Sequence, residues 1–131
     1  MFTIFEKILL GHLVGDYLFQ PKKMAIGKLS KGLPGLVWCL FHCLLYTTII
    51  CLFASTTDPI KILLIFMSHF PIDRWSLASK WLKMIKGRDF IVAYKSKAEF
   101  YEIDLSFSTI VYVIVDNTMH ILLMAAIFNY L

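Results

Sequence analysis

"IKILLIFMSHFPIDRWSL", Ile60 to Leu77, decides the fold. Apart from Lys61 it is as apolar as lipid up to Ser68, and it then carries His69, Asp73 and Arg74 within six positions. An apolar run of this length reads as a membrane-spanning helix, which needs about 20 residues. Ionisable groups inside such a helix cost at least about 2.5–3.5 kcal/mol each, so they face one another or a wet cavity and mark a functional site. Pro71, between the histidine and the aspartate, removes one helical hydrogen bond and frees the Met67 carbonyl, which a wet pocket at that depth would satisfy.

Outward from this stretch, polar segments at Pro21–Leu33, Ser55–Pro59 and Lys80–Asp104 separate three further apolar runs, about Phe2–Gln20, Pro34–Ala54 and Leu105–Tyr130. The 131 residues are 59% hydrophobic and 17% charged, with a mean hydropathy of +0.72; a soluble domain is about 25% charged. The expectation is an all-α fold, a four-span transmembrane helix bundle in which residues 1–131 form a single integral membrane domain. The first span is the most polar, carrying Glu6, Lys7, His12 and Asp16, and is expected to be short, tilted or partly interfacial. Those charges also argue against a cleaved signal peptide.

Lys22, Lys23, Lys28 and Lys31 follow the first span, and Arg74, Lys80, Lys83, Lys86, Arg88, Lys95 and Lys97 follow the third; Lys61 is the lone basic residue between the second and third. The positive-inside rule places both basic regions in the cytoplasm and both termini outside, with Trp38, Trp75 and Trp81 at the cytoplasmic boundary. This clustering explains the net charge of +4 without a nucleic-acid partner. "RWSLASKWLKMIKGR", Arg74 to Arg88, reads as an extension of the third helix that turns onto the cytoplasmic surface as an amphipathic interfacial helix and stops near Gly87. Its simplest role is anchoring to anionic membrane lipid. Cys39, Cys43 and Cys51 are an odd set inside one apolar run and imply no disulfide framework.

The polar residues inside the spans repeat one spacing. His12, Asp16 and Gln20 follow at four-residue steps in the first span, His69 and Asp73 in the third, Asp116 and His120 in the fourth, and the second contributes His42. Four-residue steps stack side chains on one helical face. At about 1.5 Å per residue, all of them fall between the cytoplasmic boundary and about the midplane. One shared centre follows, with mixed N and O donors that suit zinc, manganese or iron, one ion or two. The expected metal ligands are His12, Asp16, His42, His69, Asp73, Asp116 and His120. The three aspartates double as catalytic candidates, and Arg74 and Gln20 are substrate-facing candidates. Against this, a lone His/Asp pair is more often a structural couple, and Gln20 at a helix end is as easily a cap. Gly11 and Gly15 form a small-xxx-small step for close helix packing.

With "GHLVGDYLFQ", "FHCLL", "HFPID" and "VDNTMH" in view, the chain resembles a family of small polytopic membrane proteins of bacteria and their phages, of unknown function. The likeness covers nearly the whole chain and rests on His12, Asp16, Gln20, His42, His69, Asp73, Asp116 and His120; it implies a place in the bacterial inner membrane. A looser likeness is to bacterial inner-membrane proteins described as metal-dependent hydrolases. Three functions are therefore expected to compete. The first is a metal-dependent hydrolase acting on a lipid or lipid-linked substrate from the cytoplasmic leaflet. The second is a proton- or metal-coupled transporter or channel subunit, which four spans would favour only as a homo-oligomer. The third is a nonenzymatic phage or host membrane factor.

Overall fold

The computed structural model describes residues 1–96 and 99–131; Lys97, counted above among the basic residues, lies outside them. Among the described residues every element is helical. Helix α1, Ile4–Leu13, runs on into a π turn at Val14–Leu18; then follow α2 (Lys22–Gly27), α3 (Gly32–Ala54), α4 (Pro59–Arg74), α5 (Leu77–Lys86), α6 (Phe90–Ser96) and α7 (Tyr101–Tyr130).

Local chemistry sets the starts. At α1, Thr3 accepts from the Glu6 N–H while the Glu6 carboxylate accepts from the Thr3 N–H, a capping box. Asp58 accepts from the Ile60 N–H ahead of Pro59, which occupies the first turn of α4 where its missing N–H costs nothing. Asp89 accepts from the N–H groups of Ile91 and Val92 at the start of α6 and pairs with Lys83 at 2.9 Å, and that ammonium holds its carboxyl below the usual carboxylate range.

Helices α1, α3, α4 and α7 close into a ring, α1 on α3, α3 on α4, α4 on α7 and α7 on α1, and side chains meet across it: Asp16 lies 3.8 Å from His69, and the Tyr46 and His120 ring centroids are 6.1 Å apart. Paired levels show an up-down-up-down bundle: Gly11 lies against Ile50 and Phe53 while Gly15 lies against Tyr46, and Lys61 sits 5.6 Å over the Phe128 ring while Asp73 approaches His120. A Cβ at Gly11 would come within 3.2 Å of Ile50 and Phe53, and one at Gly15 within 3.0 Å of Tyr46. These two glycines are what let α1 and α3 touch backbone to side chain.

The interior is divided by polarity. Ile8, Tyr46, Ile50, Ile65, Met124 and Ile127 fill one level. His12, His42, His69 and His120 are fully buried, while Phe41, Leu52, Leu63, Met67, Ile114 and Leu122 stand exposed. Buried polar groups beside large exposed apolar side chains are the informative departure from an ordinary burial pattern.

Helices α3, of 23 residues, and α7, of 30, are long and apolar enough to cross a membrane. The other two expected spans are shorter: α1 with its π turn covers residues 4–18, and α4 has 16 residues, about 24 Å at 1.5 Å per residue. The helix ends with Phe19 as the cap of the π turn, and it cannot resume at Gln20, because the residue before a proline, here Pro21, is pushed out of helical geometry. Ser76 adopts a left-handed conformation (φ 47°), so α4 ends at Arg74 and the amphipathic segment is a separate helix rather than its extension. That helix does not give its whole apolar face to the surroundings. Ala78 and Leu82 are buried, while Trp81, Met84 and Ile85 are exposed, and α5 packs on α7.

Candidate metal centre

Each helix of the ring delivers one histidine to the same level. The ring centroids of His42 and His69 are 5.0 Å apart, those of His69 and His120 are 4.3 Å apart, and those of His12 and His120 are 5.3 Å apart. Tyr46 stacks flat on His69 with centroids at 3.8 Å and closes the centre toward the apolar level.

Two carboxylates thread between the rings. His42 Nε2 lies 3.0 Å from His69 Nε2, 3.3 Å from Asp16 Oδ1 and 3.1 Å from Asp73 Oδ2; His69 Nε2 lies 3.8 Å from Asp16 Oδ1 and 3.4 Å from Asp73 Oδ2. Those are all five separations among the four atoms that involve an imidazole nitrogen. Donors held about 2.0–2.2 Å from one ion sit about 2.8–3.6 Å apart along the edges of an octahedron or tetrahedron; four of the five separations fall in that range, and the fifth, Asp16 Oδ1 to His69 Nε2 at 3.8 Å, lies just beyond it. The other oxygen of Asp16, Oδ2, faces His12 Nδ1 at 3.4 Å, and Asp73 Oδ1 faces His120 Nε2 at 4.0 Å. Three overlapping triads of donors result: His12, Asp16 and His120; Asp16, His42 and His69; His69, Asp73 and His120. Asp16 turns one oxygen to each of two triads, the geometry of a carboxylate that can bridge two ions.

Hydrogen bonds fix which nitrogens are free to donate lone pairs. His120 Nδ1 is 2.8 Å from the Asp116 carbonyl, which can only accept, so that nitrogen carries the proton and Nε2 keeps its lone pair. Nε2 is buried with no hydrogen-bond partner. On His12 the logic is mirrored. Asn117 uses its amide N–H groups on the Val113 carbonyl and the Tyr17 hydroxyl, leaving Oδ1 to accept from His12 Nε2 at 2.7 Å. His12 Nδ1 is then the basic nitrogen, with the Tyr46 hydroxyl 3.1 Å away and able to donate to it. Such outer hydrogen bonds orient histidine ligands of metals. His42 Nδ1 and His69 Nδ1 have no partner of this kind.

Asp116 stands beside this set. Its carboxylate is 3.7 Å from His120 Nδ1, it belongs to none of the three triads, and it lines a cavity opening on Asp16. Gln20 lies beyond the π turn but lines the same cavity. Arg74 points elsewhere, with its guanidinium 3.4 Å from the Ser30 carbonyl. Sequence spacing had no means of finding Lys28. Its ammonium reaches 45 positions along the chain to Asp73 Oδ2 at 2.6 Å and balances one of the two buried carboxylates.

The π turn explains how Asp16 reaches the middle. Val14–Leu18 is wound with i→i+5 hydrogen bonds, and the bond from the Phe19 N–H to the Val14 carbonyl, at 2.9 Å, closes it. The wider turn inserts one extra residue and re-aims the side chains after His12, a distortion found most often at functional sites.

No curated protein and no solved structure matches the chain. A family model matches residues 4–131 and so takes in all four histidines and every carboxylate of the centre: the chain belongs to the family described as Protein of unknown function (DUF3307).

Proposed function

We propose that the protein is an integral membrane metalloprotein of the bacterial inner membrane, crossing four times, and a metal-dependent hydrolase of lipid or lipid-linked esters reached from the cytoplasmic side. The observation that carries this reading is the spacing of His42, His69, Asp16 and Asp73: four of their five nitrogen-to-donor separations, 3.0–3.4 Å, match the edges of a coordination polyhedron, and the fifth is 3.8 Å. The donor chemistry supports it: imidazole nitrogen with carboxylate oxygen suits zinc, manganese or iron. Membrane residence is supported by the exposed apolar side chains around a bundle that buries four histidines and by two helices long and apolar enough to cross a membrane. The short helices α1 and α4 would be matched by local thinning of the bilayer and by snorkelling of Lys7 and Lys61.

A divalent ion held in this set supplies Lewis acidity and a water of lowered pKa, the chemistry that ester hydrolysis needs. The chain's own residues do the rest. His12 and His120 present lone pairs fixed by Asn117 and by the Asp116 carbonyl, Tyr46 excludes water from the apolar level, and Asp116 offers a proton acceptor on the cavity wall.

The test is elemental analysis of protein purified in detergent after incubation with zinc, manganese or iron. At least one ion per chain is expected, with content reduced several-fold in His42→Ala and Asp73→Asn proteins that still elute as folded species. Unmutated protein that retains no ion under any of the three metals overturns the reading. A proton relay is the second reading, favoured by the hydrogen-bonded run Tyr17–Asn117–His12–Tyr46. The amide of Asn117 interrupts that run for protons, and proton flux in proteoliposomes would reverse the ranking.

A further inference from the structure

A cavity of about 240 Å³ lies between the π turn, the segment after α2 and α7, and Asp16, Gln20, Lys28, Tyr112 and Asp116 are among its lining residues. Asp16 belongs both to this wall and to the donor set, so the cavity is the open side of the centre. Two hydrogen-bond donors point to what it holds. Lys28 has three N–H groups, and Asp73 Oδ2 takes one of them; its side chain is 16% exposed. The Gln20 amide nitrogen is buried with no partner at all. A buried amide donor left unpaired is destabilising, and an occupant that accepts from it removes that cost.

An occupant that accepts from an ammonium and an amide together is an oxyanion. Asp16 and Asp116 would repel it if nothing offset their charge, and the divalent ion of the reading above offsets Asp16. Asp116 remains as an acceptor, and it suits an oxyanion that still carries one acidic proton, as inorganic hydrogen phosphate does at neutral pH and a phosphate monoester does in its monoanionic form. Carboxylates lack that proton.

We propose that this cavity binds a phosphoryl group, with Lys28 and Gln20 donating to its oxygens and Asp116 accepting the one proton of its monoanion, so that the ester hydrolysed at the centre is a phosphate monoester. The proposal rests on the metal-centre reading. It assigns the substrate class and makes Lys28, a residue of the segment following α2, the group that orients the phosphate toward the donor set.

The experiment uses the full chain in detergent loaded with manganese, inorganic phosphate as the probe, and two readouts: calorimetric titration and broadening of the phosphate phosphorus resonance by the paramagnetic ion. The expected result is saturable binding with strong broadening. Affinity should fall about tenfold or more in Lys28→Met, the loss of a charge-assisted bond, and less in Gln20→Leu. Lys28→Arg should restore most of it, with manganese content held in all three. Acetate should not compete.

Phosphate that fails to bind, or binds equally well to unmutated protein, Lys28→Met and Gln20→Leu, overturns the proposal. Should the protein retain none of zinc, manganese or iron, the metal-centre reading fails and this proposal fails with it, since Asp16 and Asp116 then repel the anion; phosphate that fails to bind while manganese is held overturns this proposal alone. Nanodiscs then identify the source. Competition by phosphatidic acid but not by phosphatidylcholine assigns a lipid phosphate monoester, and indifference to both, with phosphate still bound, assigns a water-soluble one.

Discussion

At the scale of single residues, the centre depends on which imidazole nitrogen holds the proton. Asn117 is the residue that decides this for His12, because its Oδ1 can only accept and its N–H groups are committed to Val113 and Tyr17. Asn117→Leu removes the acceptor, frees the imidazole to take the wrong tautomer, and should weaken metal affinity about 10- to 100-fold with little change in folding. Asn117→Asp keeps an acceptor and should lose much less. Competition against a chromophoric chelator measures both, and equal affinity in the leucine variant would show that His12 is not a ligand. None of this was legible in the sequence. His12, Asp16, His69, Asp73, Asp116 and His120 stood out through their four-residue steps, since a helix converts that spacing into a shared face. Asn117 is 105 positions from His12, and Lys28 is 45 from Asp73; no local period encodes contacts that only the closed ring creates.

At the scale of elements, the four-residue rule located the polar face of α1 but not its aim. The rule assumes an uninterrupted α-helix, and the π turn at Val14–Leu18 breaks that assumption between His12 and Gln20. The same assumption extended the third helix through Ser76, where the backbone turns left-handed instead. The small-xxx-small step at Gly11 and Gly15 was legible and has the packing role that its composition suggests, against Ile50, Phe53 and Tyr46. Since a Cβ at Gly15 already meets Tyr46 at 3.0 Å, Gly15→Val must push α1 away from α3. The expected cost is about 1–3 kcal/mol, read as a lower melting temperature in detergent. Because Tyr46 also stacks on His69 and bonds His12, metal content should fall too. Gly11→Ala meets the terminal Ile50 Cδ1 and the Phe53 Cβ at 3.2 Å and should lower the melting temperature less while leaving the metal in place. A Gly15→Val protein as stable as the unmutated one would show that α1 and α3 can separate without consequence.

At the scale of the whole molecule, four imidazoles are buried beside an apolar core while many leucines, isoleucines and phenylalanines stand exposed. The membrane residence proposed above accounts for both, with the four-helix ring as a closed surface. Composition made the all-helical class legible because long apolar runs have few other solutions; the lengths of α1 and α4 were not, since they depend on where Phe19 and Ser76 leave helical geometry. The up-down-up-down ring puts the segments around Ser30 and Lys86 at one end and those around Thr57 and Leu131 at the other, and the basic residues gather at the first end. On the membrane reading proposed above, positive-inside bias makes that end cytoplasmic, which is also the end where Lys28 enters the cavity. In a background with all three native cysteines replaced by serine or alanine, cysteine at Thr57 or appended after Leu131 should react with a membrane-impermeant maleimide on cells whose outer membrane has been opened. Cysteine at Ser30 or Lys86 should react only after the inner membrane is disrupted. The opposite pattern would turn the cavity outward, and a phosphate ester would then have to reach the centre from the far side of the membrane.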